Sequence, residues 1–140
     1  MKPKLEVCAG NIADIKLCEK YQVDRIELNN GLYLGGLTPS LGLLVASKKL
    51  TSIPIISMVR PRGGGFIYSE DEVEVMFLDA KYLILHGSDG LAFGFLTPDL
   101  KVDIAPTKRM VELCHEYGRE AVFHRGFDMV EDPYQAIEDL

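Results

Sequence analysis

Short runs in which apolar and polar residues alternate recur along this chain. Each is followed by a longer stretch whose apolar positions return every three or four residues. Residues Lys4–Ala9 read as a strand, with Leu5 and Val7 on one face and Glu6 and Cys8 on the other. Gly10 breaks that run and Asn11 is placed to cap a helix over Ile12–Tyr21. A second strand follows at Asp24–Asn29, then a glycine-punctuated loop, then Thr38-Pro39-Ser40 leading into a helix over Leu41–Leu50. The third strand, Pro54–Val59, runs straight into Arg60-Pro61-Arg62-Gly63-Gly64-Gly65. Ser69 with Glu72 three residues later has capping-box spacing and opens a helix reaching about Leu85. Strand four is expected at Gly90–Leu96, a helix at Ala105–Tyr117, strand five at Glu120–Arg125, and a fifth helix from Asp132-Pro133.

Five strand–helix units in strict alternation predict an α/β fold with a parallel sheet and right-handed crossovers. Two architectures share that pattern. An open doubly wound sheet is complete within 140 residues, whereas a (β/α)8 barrel needs about 200–250. On periodicity alone the open sheet is the expectation. No G-x-G-x-x-G follows the first strand, and Gly63-Gly64-Gly65 lacks the Lys-Ser/Thr of a P-loop, so neither nucleotide fingerprint is present.

Composition narrows the class. With 47% hydrophobic and 26% charged residues the chain can bury a core, and 15 basic against 21 acidic side chains give a net charge of −6. That balance argues against nucleic-acid binding. No apolar run approaches the roughly 20 residues of a membrane span, and the N-terminus lacks the apolar segment of a secretory signal. Cys8, Cys18 and Cys114 are an odd number without close pairing, the usage expected of reduced thiols in the cytoplasm.

Charge interrupts the strands in an informative way. A parallel sheet covered on both faces is built from nearly continuous apolar runs, yet Glu6 and Glu27 lie inside strands one and two. Arg60 and Arg62 end strand three; His124 and Arg125 end strand five, with Asp128 just beyond. Parallel α/β folds place ligand sites at those carboxyl ends. Arg60, Arg62, Arg125 and Asp128 are therefore candidate substrate-binding residues, the arginines suiting a carboxylate or phosphate. Glu6, Glu27 and His124 are candidates for moving a proton, although Glu6 and Glu27 could equally pair with an interior arginine. His86 and His115 fall at helix ends and need no chemistry. Cys18 and Cys114 fit core positions, while Cys8 shares a strand face with Glu6 and is the candidate metal ligand, with Met58 the nearest thioether.

Several strings together resemble the CutC family, named for copper homeostasis: Leu-Glu-Val-Cys (5–8), Asp-Arg-Ile-Glu-Leu (24–28), Gly-Gly-Leu-Thr-Pro-Ser (35–40), Met-Val-Arg-Pro-Arg-Gly-Gly (58–64), Gly-Leu-Ala-Phe-Gly-Phe-Leu-Thr (90–97) and Phe-His-Arg-Gly-Phe-Asp-Met (123–129). The resemblance runs in order through the whole chain. It implies a TIM-type (β/α)8 barrel in place of the open sheet, residues 1–140 forming one barrel domain that stops after about five βα units. It also implies cytoplasmic copper handling, with Cu(I) as the metal. Two departures stand out: Asn29 occupies a position where the family commonly has cysteine, and Gly65 one where it usually has aspartate.

Two functions follow. One is Cu(I) binding through Cys8 with a second soft ligand. The other is an enzyme acting on a small anion held by Arg60, Arg62 and Arg125, with Glu6, Glu27 or His124 as proton carrier. The expected partner is thus a small anion or a copper ion, neither nucleic acid nor membrane, and homo-oligomerisation is left open.

Overall fold

In the computed structural model, which describes residues 3–140, each predicted unit forms. The strands are β1 (Glu6–Ala9), β2 (Arg25–Leu28), β3 (Ile55–Met58), β4 (Gly90–Phe93) and β5 (Glu120–Phe123). The helices are α1 (Ile12–Tyr21), α2 (Leu41–Leu50), α3 (Glu70–Leu85), α4 (Ile104–Glu116) and α5 (Pro133–Asp139), with short 3-10 turns at Leu32–Leu34 and Arg125–Met129. Helix starts follow the capping residues read from sequence. Asn11 Oδ1 accepts the Asp14 N–H at 3.0 Å, Ser40 Oγ the Leu43 N–H at 3.1 Å, and Ser69 and Glu72 form a reciprocal capping box. No helix among the described residues is long and apolar enough to cross a membrane.

The strands pair in parallel in the order β1-β2-β3-β4-β5. A doubly wound sheet reverses its order at a switch point; this one winds in a single direction, as a barrel does. That corrects the periodicity-based preference for an open sheet. The five units do not close on themselves.

Side-chain alternation along the strands separates two environments. Leu28, Ile26, Ile55, Leu91 and Phe93 pack with Ile15, Leu44, Met76, Leu83 and Met110 from the helices in one continuous core. The opposite face carries Glu6 and Cys8 on β1, Arg25 and Glu27 on β2, and a small apolar cluster of Ile56, Met58 and Ala92 backed by Val122. Arg25 holds Glu6 and also donates from Nη1 to Glu120 Oε2 on β5 at 2.7 Å. That second bond reaches over β3 and β4, about 14 Å of flat sheet at the usual strand spacing, and forms because the sheet curls toward this face.

Gly90 makes the curl sterically allowed. It pairs with Ile56 on one side and Glu120 on the other, and a Cβ there would lie 2.6 Å from Ile56 Cδ1 and 2.7 Å from the Glu120 carbonyl oxygen. Backbone cannot yield as a flexible side chain can. Gly90→Ala is therefore expected to destabilise the fold by about 1–3 kcal/mol, the usual cost of overpacking. Urea denaturation checks this, and an unchanged midpoint would refute the role given to Gly90.

Candidate functional site

The residues singled out at strand ends lie just past the hydrogen-bonded ladder, where the backbone is free to turn. Predicted strands two, three, four and five extend to Asn29, Val59, Leu96 and Arg125, but the ladder stops at Leu28, Met58, Phe93 and Phe123. The freed segments build the mouth of the curled sheet. A hollow of about 450 Å³ opens there, its wall including Glu6, Cys8, Glu27, Asn29, His124 and Arg125. A smaller one of about 220 Å³ adjoins it, lined by Arg60, Phe66, Arg125 and Asp128, and the two share Gly35 and Arg125.

Cys8 and Glu27 face each other in the β1–β2 register. The Cys8 thiol donates to Glu27 Oε2 at 3.2 Å, and Asn29 Nδ2 donates to the same oxygen at 2.9 Å. Partial burial, the hydrogen bond to Glu27 and the charges of Glu27 and Glu6 push the Cys8 thiol up from 9.0 to about 12. The Glu6 carboxylate is taken by Arg25, so its sequence-based reading as a structural ion pair describes what it does. Glu6 nonetheless forms part of the wall.

His124 is bent out of the strand by the 3-10 turn that starts at Arg125, a turn the alternating pattern does not announce. Its Nδ1 accepts the Gly126 N–H at 3.0 Å, which places the proton of the neutral ring on Nε2. Nε2 is buried and has no partner among the described residues. Burial, together with the charges of Arg60 and Arg125, pulls the imidazole down from 6.5 to about 4. At neutral pH it is an uncharged hydrogen-bond donor, and its basic nitrogen is occupied. The role in moving a proton expected from the sequence would therefore start from a ring that already carries its proton on Nε2. Gly94 leaves space for the ring: a Cβ there would come within 2.5 Å of it.

The arginines divide sharply. Arg62 is drawn away from the mouth; it pairs with Glu72, donates to the Ile67 carbonyl at 2.8 Å, and lies over the Tyr68 ring. It lines neither hollow, and so it locks the loop onto the start of α3. Arg60 is only 6% exposed. Its Nη1 donates to the carbonyls of Leu34 (2.9 Å) and Gly36 (3.0 Å), its Nη2 to that of Gly64 (2.6 Å), and its Nε has no partner among the described residues. Arg125 is exposed and has no hydrogen-bond or ion-pair partner among the described residues. Asp128 lines the smaller hollow beside it.

Three contributors escaped the sequence reading. Asn29 drew notice as a departure from the family pattern, without a role. Phe66, in the loop after the glycine run, packs against His124 at 4.9 Å between ring centroids and under the Arg60 guanidinium at 5.0 Å. Gly35 is the hinge between the hollows, with a φ of +88° that favours glycine. Nothing local in sequence marks Phe66, because its partners are remote in the chain.

A Cu(I) ion does not fit this donor set well. The metal needs a deprotonated thiol and further soft ligands, whereas Cys8 is held protonated against carboxylates. Among the described residues no group of three His, Cys, Asp or Glu side chains is arranged to hold a metal. The protonated state has a direct consequence. Alkylation of Cys8 at pH 8, mapped by mass spectrometry, should run at least about a hundredfold slower than for an ordinary exposed thiol. Glu27→Gln should raise the rate by about tenfold, since it removes a charge and a hydrogen-bond acceptor that oppose the thiolate. Wild-type reactivity like that of a free cysteine would refute this.

Comparison with known proteins agrees with the geometry. The sequence model of the CutC family matches residues 3–140. A CutC family protein of Treponema denticola is 47% identical over 137 residues, covering 98% of this chain and 55% of its own. The human copper homeostasis protein cutC homolog is 43% identical over 136 residues, covering 97% of this chain and 49% of its own. The crystal structure of the CutC protein from Streptococcus agalactiae superposes with a TM-score of 0.89 at 30% identity, over 99% of this chain and 68% of that one. The chain thus spans about half the length of the curated relatives it matches. Taken with the single-direction winding of the sheet, these matches establish that the chain belongs to the CutC family.

Proposed function

We propose that the mouth of the curled sheet binds a small organic anion, a carboxylate or a phosphate ester. One observation carries this reading. Arg25, Arg62, Arg109 and Arg119 each face a carboxylate. Arg60 and Arg125 form an ion pair with none among the described residues, although Asp128 shares their hollow, and both line the mouth. A buried guanidinium satisfied only by neutral carbonyls keeps its full positive charge. Beside the exposed Arg125 it makes a local positive field in a chain whose net charge is −6.

The roles follow from geometry. Arg125 meets the anion as the accessible cation. Arg60 supplies charge from behind and shapes the loops. His124 offers a neutral N–H beside them, as a hydrogen-bond donor for oxygen. Glu27 stands on the opposite wall as the proton acceptor if a reaction occurs there. The three free thiols fit a cytoplasmic setting.

Cu(I) is the second reading, supported by the relatives named for copper homeostasis and by the presence of Cys8 and Met58 on one hollow. It asks a thiol that resists ionisation to become a ligand, and it leaves the unpaired arginines unexplained. We therefore rank the anion first.

Titration calorimetry with inorganic phosphate at low ionic strength tests this. Arg125→Ala should weaken binding by at least about tenfold, the loss of one charge-assisted hydrogen bond, while Arg62→Gln stays within about twofold. Equal losses in both variants, or no phosphate binding by the wild type, would overturn the proposal.

A further inference from the structure

The anion reading draws its binding groups from one wall of the larger hollow and takes none from the other. That wall is organised around Glu27. Both amide hydrogens of Asn29 go to this one residue, at 2.9 Å to carboxylate Oε2 and 3.1 Å to its backbone oxygen. With the Cys8 thiol on the same Oε2, the carboxylate is held in a single orientation. Its other oxygen, Oε1, has no hydrogen-bond partner among the described residues.

One buried group on this hollow points to a missing ligand. His124 is 7% exposed and its Nε2 has no partner among the described residues. An unmet polar atom at such depth costs about 1–3 kcal/mol, and a ligand oxygen in the hollow would meet it. Asn29 is also held in place from behind. Gly36, at φ +91°, packs so closely that a Cβ there would sit 2.3 Å from Asn29 Oδ1, so the amide keeps its orientation only opposite a glycine.

Resting on the assignment of the mouth as an anion site, we infer that its ligand is two-headed. An anionic group meets Arg125 and His124, and a short carbon chain joins it to a hydroxyl or ammonium that donates to Glu27 Oε1. Asn29 is the positioning residue: it reaches the ligand through the carboxylate it orients. A hollow of about 450 Å³ is of the size that encloses a small molecule of this kind.

Calorimetry with three probes tests this: inorganic phosphate, glycerol 3-phosphate and phosphoethanolamine. In the wild type the two-headed probes should bind at least about tenfold tighter than phosphate, the worth of one hydrogen bond to a charged group. Asn29→Ala should cut that advantage to within about threefold while phosphate itself changes by less than about twofold. Glu27→Gln should abolish the advantage of phosphoethanolamine and keep part of that of glycerol 3-phosphate, because a neutral amide oxygen still accepts from a hydroxyl; this variant also carries the test if Asn29→Ala does not fold. Equal wild-type affinities for all three probes would overturn the two-headed ligand and leave the anion site standing. Failure of phosphate to bind would overturn both.

Discussion

A guanidinium buried without a carboxylate is the constraint around which the mouth is built. Burying a charge is costly unless hydrogen bonds replace its water, and Arg60 finds them in the carbonyls of Leu34, Gly36 and Gly64. Those carbonyls belong to the loops after β2 and β3, so one side chain ties both loops together. Its backbone joins in, since Thr38 Oγ1 donates to the Arg60 carbonyl at 3.0 Å and accepts its N–H at 2.9 Å. Gly36 is thereby placed against Asn29, and Phe66 against His124. The neutral carbonyls take hydrogen bonds from Nη1 and Nη2 and leave the guanidinium's charge uncancelled. That residual charge helps hold His124 neutral and favours an anion at the opening.

The concave face is polarised as a result. At the mouth, Glu6, Cys8 and Glu27 occupy the β1–β2 side, and Arg60, Arg125 and the imidazole occupy the β3–β5 side, with Asp128 beside Arg125. Burial raises the Cys8 thiol and lowers the imidazole, and the neighbouring charges, acidic beside the thiol and cationic beside the ring, push each further the same way. Arg25 bridges part of the divide near the start of the strands, where it joins Glu6 to Glu120. The bridge there supports the curl of the sheet, while the strand C-termini form the open end, where parallel α/β folds place ligand sites.

Much of this was legible in the sequence, because strand alternation and helix caps are local signals. Asn11, Ser40 and Ser69 mark helix starts through bonds spanning three residues. Charges inside apolar runs marked Glu6 and Glu27, and polar residues at strand ends marked Arg60 and His124, as residues of the concave face or its mouth. Winding direction was not legible: the same alternation serves open sheet and barrel, and the CutC resemblance, not periodicity, pointed to the barrel. Arg62 was misplaced because its partner Glu72 lies ten positions along, in a capping box that reads as complete without it. The tautomer of His124 depends on the Gly126 N–H in a turn that the strand pattern concealed. Asn29 and Phe66 act through partners that only the folded chain brings near.

The central claim is that the mouth receives an anion beside a neutral imidazole. Nitrogen-15 NMR of the His124 side chain during a phosphate titration at pH 7 tests it most directly. The expected spectrum is that of a neutral ring protonated at Nε2, whose resonances move saturably as phosphate binds. A ring already charged at pH 7, or one whose resonances stay fixed while phosphate binds, would contradict it.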